Sequence, residues 1–384
     1  MSTLKVGAIR GVSASSDAIT LATDGTCTAN ITNNLSNRNL IINGAMQVAQ
    51  RGTSMATGDG FAVDRFRLEI NGTNENPTLT QADVASGTTP YTLGFRKSWK
   101  VQNGNQTGGA GATDRIQMQY RFEAQDIANS GWNYTSSSSY ITLQFWVKSS
   151  VAQNFYGVFQ TDDGTAQNYP FETGSLTANT WTKVTKTISG NSNLTFDNDN
   201  FEGLKLELHM FKGTDYTASG VSLNAWAAYA SGTRTPDQTS TWYTTNDATL
   251  EITGVQLEVG SVATDFEHRS FADELRSCQR YLYILDMGSA SNNHFLLLAR
   301  FSHNNGVGYG DVQFPTTMRD NPSFSYLGTA ITQSGYAGDP GLYASTPTMA
   351  TLYGGTSTVA NGITYLRRGS DSNAFLKLVF SAEL

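Results

Sequence analysis

The chain has 384 residues and a formal net charge of −7, and only 15% of its residues are charged. An ordinary soluble domain carries roughly 25% charged residues, and the scattered lysines and arginines form no basic cluster of the kind that nucleic-acid binding requires. No run of about 18 apolar residues occurs, so we expect no membrane insertion. The first residues lack the apolar core of a signal peptide, which predicts synthesis in a cytoplasm without secretion.

The composition otherwise predicts an all-β protein with more than one folded unit. Glycine occurs 37 times, tyrosine 17 times and phenylalanine 19 times. Aromatic and β-branched residues favour pleated surfaces, and glycine and asparagine supply the positive φ angles of tight turns. A chain of this length usually exceeds one hydrophobic core, so two or three units are expected. Cys27 and Cys278 lie far apart without paired spacing, which argues against a zinc site and a disulfide framework.

Residues 1–37 form the first predicted segment. They are poor in aromatic residues and rich in Ser, Thr, Ala and Asn, so they bury too little apolar surface to offset their ordering entropy. We expect copies of the same chain, or a particle to which it attaches, to order this segment; a flexible tail is the alternative. The apolar side chains available for such an attachment are Leu4, Val6, Ile9, Ile19 and Leu21.

Residues 38–267 form the second predicted segment, an antiparallel β-sandwich. Apolar and polar residues alternate along short stretches at residues 40–42, 66–70, 116–122, 141–147, 182–188, 204–210 and 250–257. Such alternation indicates strands with one buried face and one wet face, as in stacked antiparallel sheets. Helices of the length that a parallel α/β sheet needs do not recur between these strands.

A connecting helix at residues 268–286 and a C-terminal β domain at residues 287–384 complete the predicted organisation. Apolar residues with helical spacing lie at positions 271, 275, 278 and 282. Ser270 can cap the first helical turn, where Asp273 and Glu274 suit the positive end of the helix dipole. Beyond the helix, apolar stretches alternate with Gly-rich turns, which predicts a second sandwich-like domain.

Motifs of enzymatic chemistry are missing from the sequence. The four histidines show no HxxxH or HExxH spacing, and no GxSxG or Walker-type motif occurs. We therefore expect a protein that is not an enzyme and holds no cofactor, although two carboxylates placed for glycoside hydrolysis would leave no sequence pattern. Asp197 and Asp199 lie in an oxygen-rich stretch without EF-hand spacing, for which a structural calcium and a solvated turn are the two interpretations.

The six tryptophans all lie in the predicted sandwich, and some of them are candidate ligand residues. A sugar binds by laying the apolar face of its ring on an exposed aromatic side chain, while nearby amides and carboxylates take its hydroxyls. Trp146 faces opposite the apolar residues of its strand and Trp181 precedes a strand, and core packing stays open for both. Aromatic residues in loops are the better candidates for sugar contact, with packing or an intersubunit contact as the alternative: Trp132, Trp226, Trp242 and Tyr243.

Two blocks of sequence resemble the tail-fibre and tail-tip proteins of bacteriophages. The first is NRNLIINGAMQVAQRGT at residues 37–53, followed by Asp-Arg-Phe at 64–66; the second runs from GVQLEVGS at 254–261 through FEHRSF at 266–271 to CQRY at 278–281. The region between them resembles carbohydrate-binding modules with a jelly-roll sandwich, in which an acidic calcium ligand stands where this chain has Met46 and Gln47. The stretch at 312–324 is similar to a strand-and-turn unit that follows the exit helix in phage fibres.

The resemblance implies a structural virion protein, on the tail rather than the head, that is made in the host cytoplasm. It also implies a homotrimer that joins other virion proteins through its N-terminal segment and contacts a glycan or protein of the host surface. Sugar binding follows from the fold by analogy alone. Two alternatives stay open: a capsid-decorating head fibre or spacer that binds no receptor, and a fibre enzyme that degrades polysaccharide.

Overall fold

The computed structural model describes residues 6–12, 19–21, 23, 27–29, 37–56, 58–286, 295–298, 300–301, 308–328, 330–333, 341–354, 364–368 and 376–384. This part of the chain is all-β, as the composition predicts: its strands pair in antiparallel sheets, and its four α-helices are short. None of the helices found there has the length and apolar character needed to cross a membrane.

A small three-stranded sheet lies at the N-terminal end. Its strands, in spatial order, are β1 (Ala8–Ile9), β2 (Ile19–Leu21) and β3 (Cys27–Ala29). In β1 and β2, where burial is described, no residue belongs to a hydrophobic core cluster. Of the predicted attachment residues, Val6, Ile9 and Leu21 are exposed and Ile19 is half-buried, whereas Leu4 lies outside the described residues. The apolar side chains of Ile9, Ile19 and Leu21 are therefore not part of any core formed by the described residues.

Two six-stranded antiparallel sheets form the sandwich that the sequence predicts. Their strands are β4 (Ser54–Met55), β5 (Arg67–Asn71), β6 (Thr78–Asp83), β7 (Lys97–Gln102), β8 (Arg115–Glu123), β9 (Tyr140–Ser149), β10 (Asn154–Thr161), β11 (Gln167–Ser175), β12 (Thr182–Ser189), β13 (Glu202–Lys212), β14 (Ala227–Ala228) and β15 (Thr249–Val259). Sheet I has the order β14-β11-β10-β13-β8-β5, and sheet II has the order β12-β9-β15-β7-β6-β4. Each sheet thus contains strands from both halves of the sandwich sequence.

The main core lies between sheets I and II and is built from alternate residues of their strands. Leu206 and Leu208 of β13 belong to one buried cluster with Phe145 of β9 and Ile252 of β15. The alternation that predicted the strands therefore marks the core face correctly. The expectation of a wet outer face is wrong for β13 and β15, because most of their polar side chains are buried as well.

The predicted strand at residues 40–42 does not form, because side-chain hydrogen bonds fold this stretch into turns. The carboxamide oxygen of Asn39 accepts hydrogen bonds from the backbone N–H groups of Ile41 and Leu257, both at 3.0 Å. Asn43 adopts a positive φ of 62°, and its side chain bonds the backbone of Val48. The motif at the start of the sandwich is thus a buried turn, which is anchored to β15.

Five short helical segments connect the strands, and the last of them matches the predicted connecting helix. They are α1 (Thr89–Thr92), α2 (Ala124–Ala128), a 3-10 turn (Ser231–Thr233), α3 (Thr241–Thr244) and α4 (Phe271–Gln279). The Ser270 hydroxyl caps α4 by accepting from the Asp273 N–H at 3.2 Å. The helix ends earlier than predicted. Of the apolar residues with helical spacing that lie within it, Phe271 is exposed and Cys278 is buried.

The C-terminal unit contains three further antiparallel sheets and a small core of its own. Its strands are β16 (Leu282–Asp286), β17 (Phe295–Leu298), β18 (Arg300–Phe301), β19 (Gly308–Gln313), β20 (Ser323–Gly328), β21 (Ala330–Gln333), β22 (Gly341–Thr346), β23 (Met349–Gly354), β24 (Thr364–Arg368) and β25 (Leu376–Ser381). The sheet orders are β16-β25-β20, β17-β24-β21 and β18-β19-β23-β22. Because β16 pairs with β25, residues 282–286 belong to this unit and not to the helix.

Ion pairs and hydrogen bonds join this unit to the sandwich. The guanidinium of Arg280 holds the Glu123 carboxylate through contacts of 2.6 and 2.5 Å, and the Tyr281 hydroxyl donates to the same carboxylate at 2.6 Å. Burial opposes ionisation of Glu123, but the bonds from Arg280 and Tyr281 hold its pKa below the ordinary value. Arg65 of the sandwich binds Glu383 at 2.6 Å. The junction therefore rests on charged groups that are largely removed from water.

Candidate functional site

A cleft of about 270 Å³ lies on the outer face of sheet II and is the candidate functional site. We call it the Trp146 cleft. Its lining residues are Leu93, Phe95, Gln144, Phe145, Trp146, Lys183, Gly254, Asp265, Phe266 and His268. The strands β9, β12 and β15 supply its floor, and the segments before β7 and after β15 supply its walls. Aromatic rings and a few polar groups thus meet at one concave surface.

Strand register places the floor residues side by side. Trp146 of β9 lies opposite Lys183 of β12 on one side and opposite Thr253 of β15 on the other. Gln144 lies two residues before Trp146 and therefore on the same face of the sheet. This face is opposite to the one that carries Leu143 and Phe145 in the core. The alternation of β9 thus places Trp146 on the face of the sheet that points away from the core. On that face its side chain is half-buried.

An irregularity in β15 makes room for one wall of the cleft. The register between β15 and β9 shifts between Thr253 and Gln256, and Gly254 within this bulge has a φ of +64°. A Cβ atom at Gly254 would lie 2.6 Å from the Phe95 ring. Glycine is therefore required both by the backbone conformation and by the close approach of the ring.

Phe95, Phe266 and His268 form an aromatic wall whose rings meet in edge-to-face and tilted contacts. The ring centroids of Phe95 and Phe266 are 4.9 Å apart, and the His268 ring lies 5.2 Å from Phe95 and 4.9 Å from Phe266. The Nε2 atom of His268 lies 2.8 Å from the carbonyl oxygen of Leu93. This contact holds the imidazole beside the two phenyl rings. The wall is therefore apolar on its ring faces and polar at one edge.

The polar groups around the cleft are only partly engaged within the protein. Gln144 Nε2 donates to the Thr264 carbonyl at 2.6 Å, while its Oε1 atom has no hydrogen-bond partner. Trp181 and Trp146 both pack against the small cluster of Ala45, Val84 and Phe95, and the indole Nε1 of Trp181 is buried without a partner. The Lys148 ammonium lies 5.0 Å from the centre of the Trp181 ring and pairs with Glu251 at 3.0 Å. A sugar ring requires aromatic faces and accessible polar groups, and the exposed side chains of Lys183, Asp265 and His268 supply the polar groups in this cleft.

Residues of the segment 213–238 cover part of the outer face of sheet I, around His209 and Lys212 of β13. The Gln238 Nε2 atom of this segment lies 3.1 Å from His209 Nδ1, and its Oε1 atom accepts from the Lys212 backbone N–H at 3.0 Å. Beneath the segment, Glu207 binds Lys212 at 2.6 Å and His209 at 3.1 Å. These three charged or titratable groups are fully buried, and the cluster is structural.

Three of the four predicted sugar-contact residues are core residues, which corrects the prediction for them. Trp242 and Tyr243 are 0% exposed and Trp132 is 3% exposed, and all three belong to the main core cluster. The polar residues beside them in sequence belong to loops, but the rings themselves insert between the sheets. Trp226 is half-buried: its indole N–H donates to the Ser189 carbonyl at 2.8 Å, and its ring packs on Tyr169. Sugar contact by Trp226 stays a prediction.

The predicted calcium ligands serve the local turn. Asp197 is exposed, and its backbone N–H donates to the Asp163 carboxylate at 3.0 Å. The Asp199 carboxylate accepts from the Phe201 N–H at 3.0 Å. In the described part of the chain, no three His, Cys, Asp or Glu side chains are grouped in a way that could hold a metal ion. The solvated-turn interpretation accounts for these contacts.

The residues of the Trp146 cleft were not selected from the sequence, although one signal for them was present. The parity of Trp146 in β9 indicated a side chain opposite to the core face. Phe266 and His268 lie in the block that resembles the closing part of phage fibre proteins. Their approach to Trp146 depends on how the chain folds back over sheet II after β15, which no local pattern encodes.

Comparisons with known proteins return structural matches only. No family model matches the chain, and no curated protein matches it. The chain is similar to the enzymatically active domain of tailspike protein 4 of bacteriophage CBA120, with 10% identity and a TM-score of 0.30. This match covers 58% of the present chain and 21% of that chain, so the present chain spans about a fifth of its length.

Two sugar-binding proteins also match. One is the N-terminal cellulose-binding domain of Cellulomonas fimi β-1,4-glucanase C, with 10% identity, a TM-score of 0.27 and coverage of 55% of this chain and 96% of that chain. The other is a putative sugar binding protein from Bacteroides thetaiotaomicron, with 11% identity, a TM-score of 0.28 and coverage of 58% and 100%. Similarities this low assign neither a family nor a ligand. The fold conclusion rests on the sheets themselves, which define a two-sheet β-sandwich with an aromatic cleft on one outer face.

Proposed function

We propose that the protein is a non-enzymatic structural protein of a bacteriophage fibre or tail tip, and that it binds a host-surface glycan in the Trp146 cleft. The observation that carries this proposal is the combination of the half-buried Trp146 ring with the exposed polar side chains of Lys183, Asp265 and His268 in one concave site. A sugar needs both, because one face of its ring is apolar and its edge carries hydroxyls.

The chemistry of the cleft supports binding in preference to hydrolysis. Glycoside hydrolysis uses two carboxyl groups on either side of the scissile bond. Among the lining residues, all of which the structure describes, Asp265 alone carries a carboxylate. A binding role needs no second carboxylate, so we propose that the protein holds its ligand without cleaving it.

The assembly that we propose is a homotrimer attached to the virion through the N-terminal segment. The exposed apolar residues Val6, Ile9 and Leu21 support an attachment role, since none of them packs in a core of this chain. Three clefts on one fibre would compensate for a weak individual sugar contact, because linked sites raise the effective concentration of each next contact. Localisation on the tail is part of the same proposal.

The test is binding of the purified full-length chain to an array of bacterial surface polysaccharides. Trp146→Ala should lose binding, and Trp146→Phe should retain part of it because a ring remains. Phe201→Ala is the matched control, since Phe201 is an exposed aromatic residue outside the cleft, at 59% exposure. Equal binding by the wild type and Trp146→Ala would refute the site, and release of new reducing ends from a bound polysaccharide would favour the enzyme instead.

A further inference from the structure

Three tyrosines lie on one face of the sheet β18-β19-β23-β22 in the C-terminal unit. Strand register places Tyr309 of β19 opposite Tyr353 of β23. Tyr343 of β22 joins them, because its ring centroid lies 4.9 Å from that of Tyr309 in an edge-to-face contact. Val312 and Leu352, on the alternate positions of the same strands, face the small core instead. The three tyrosines therefore lie on the outer face of this sheet, and we call them the tyrosine patch.

The rings of the patch are accessible, and one of them is held against the sheet. Tyr343 is 66% exposed and Tyr353 is 41% exposed. The outer end of the Tyr353 ring lies over Gly341 of β22, where a Cβ atom would meet the ring at 2.4 to 2.6 Å. Because glycine leaves this space open, the ring lies across the neighbouring strand while the rest of its surface faces solvent.

Polar side chains flank the patch on the same face. Asp311 and Gln313 lie two and four residues after Tyr309 in β19, so all three side chains project from one face of the sheet. Asp311 and Gln313 are both exposed. The Thr351 hydroxyl donates to one oxygen of the Asp311 carboxylate at 2.7 Å. The Gln313 amide nitrogen lies 3.7 Å from the Met349 sulfur, a weak acceptor that a ligand hydroxyl can replace.

The extent of the patch fits a short saccharide better than a folded partner. Three strands at a spacing of about 4.8 Å and five residues at a rise of about 3.4 Å cover roughly 250 Å². A stable protein interface buries about 800 Å² on each partner and has an apolar centre. Among the described residues of β19, β22 and β23, no leucine, isoleucine or valine is exposed. The exposed rings and their polar neighbours instead match the apolar face and the hydroxyl edge of a sugar.

We propose that the tyrosine patch is a second sugar-binding surface, separate from the Trp146 cleft. The apolar face of a pyranose ring lies on Tyr353 and Tyr343, and hydroxyls of this ring or of the next one bond to Asp311 and Gln313. The inference shares with the proposed function the premise that the protein binds a glycan, but it does not depend on the cleft. Two contacts on one chain raise the avidity for a long polysaccharide.

Fluorine NMR of the full-length protein labelled with 3-fluorotyrosine tests this proposal. The polysaccharides of the array are added one at a time. The chain has 17 tyrosines, and the Tyr343→Phe and Tyr353→Phe variants assign the two signals of interest. We expect both signals to shift saturably with a polysaccharide that binds, while the signal of the buried Tyr120, which is 1% exposed, stays in place.

Variants measure how much the patch contributes to binding. Tyr353→Ala should weaken binding of the polysaccharide roughly tenfold, the loss expected for one stacked ring contact, whereas Tyr353→Phe should bind nearly as tightly because the ring remains. Tyr343→Ala should also weaken binding, and at a position this exposed it should leave the fold intact. Phe201→Ala, the change of an exposed aromatic residue in the sandwich, is the matched control and should bind like the wild type.

The outcomes separate the tyrosine patch from the Trp146 cleft. Unmoved Tyr343 and Tyr353 signals with a polysaccharide whose binding depends on Trp146 would overturn the patch and leave the cleft in place. Shifts of both tyrosine signals, with equal binding by the wild type and Trp146→Ala, would support the patch and refute the cleft. Shifts of these two signals with protein concentration alone would assign the face to contact between copies of the chain and overturn the proposal. Binding of no polysaccharide would overturn both sites.

Discussion

Replacement of His209 should change the response of the sandwich to acid. His209 lies fully buried on β13 between Glu207 at 3.1 Å and Gln238 at 3.1 Å, close to the positive charges of Lys212 and Arg234. Burial and the charge of Lys212 lower the pKa of His209 to about 4, against the hydrogen bond with Glu207, which raises it. The folded protein therefore keeps this imidazole neutral at pH values at which an unfolded chain would protonate it.

The magnitude follows from the difference between the two pKa values. The ordinary value is 6.5 and the folded value is about 4, and a difference of about 2.5 pH units corresponds to about 3 kcal/mol of unfolding free energy. Above pH 6.5 the imidazole is neutral in both states and the contribution does not vary. As the pH falls from 6.5 towards 4, the unfolded state binds a proton that the folded state does not, so stability is lost over this window.

Urea unfolding followed by tryptophan fluorescence at pH 7, 5.5 and 4 measures this effect, since all six tryptophans lie in the sandwich region. His209→Gln keeps an amide that can donate to Glu207 but cannot titrate. Its unfolding free energy should fall by about 3 kcal/mol less than that of the wild type between pH 7 and pH 4. Parallel pH curves for the two proteins would refute the account of His209.

Two further predictions concern the junction and the cleft wall. Arg280→Gln should lower the unfolding free energy by about 3 kcal/mol, because it leaves the Glu123 carboxylate buried without its cation. Adding Glu123→Gln to this variant should recover part of the loss, and calorimetric unfolding of the two single variants and the double variant checks this. A loss in the double variant equal to the sum of the two single losses would contradict it. Gly254→Ala should destabilise the sandwich by more than about 1 kcal/mol, because φ is +64° and the new Cβ would meet the Phe95 ring at 2.6 Å. If the Gly254→Ala variant melted at the same temperature as the wild type, a side chain at position 254 would not strain the bulge, and the prediction would be wrong.

The sequence predicts those parts of the fold that depend on neighbouring residues. Alternation along β9 and β13 predicts their strands to within a few residues, because every second side chain faces the same core. Helix α4 is predicted because its cap is local: Ser270 reaches the N–H of Asp273 three residues ahead. Period and capping are properties of a short window, so they can be read without the tertiary structure.

The parts that could not be predicted depend on residues distant in sequence. The stretch at 40–42 has a strand-like pattern, but Asn39 bonds the N–H of Leu257 and holds it as a turn. Trp242 stands among polar residues, yet its ring is buried between the sheets and its indole N–H donates to the Thr249 carbonyl at 3.1 Å. A polar neighbourhood in sequence therefore does not indicate an exposed ring.

The candidate site shows the same division. The face of the sheet on which Trp146 lies can be predicted from the alternation along β9. The aromatic wall of the cleft is made by Phe95 and Phe266, which lie many residues before and after Trp146 in the sequence. Choosing Trp146 over a loop tryptophan requires the knowledge that these two rings meet above sheet II. The sequence contains the residues of the site but not their assembly.

The most direct test of the central claim is fluorine NMR of the full-length protein labelled with 5-fluorotryptophan and titrated with a polysaccharide that it binds. The six tryptophans give six reporters, each assigned by a Trp→Phe variant. The account predicts that the signal of Trp146 shifts on binding, while those of the buried Trp242 and Trp132 do not. A saturable shift confined to Trp226, with Trp146 unmoved, would contradict it and place the glycan at Trp226 instead.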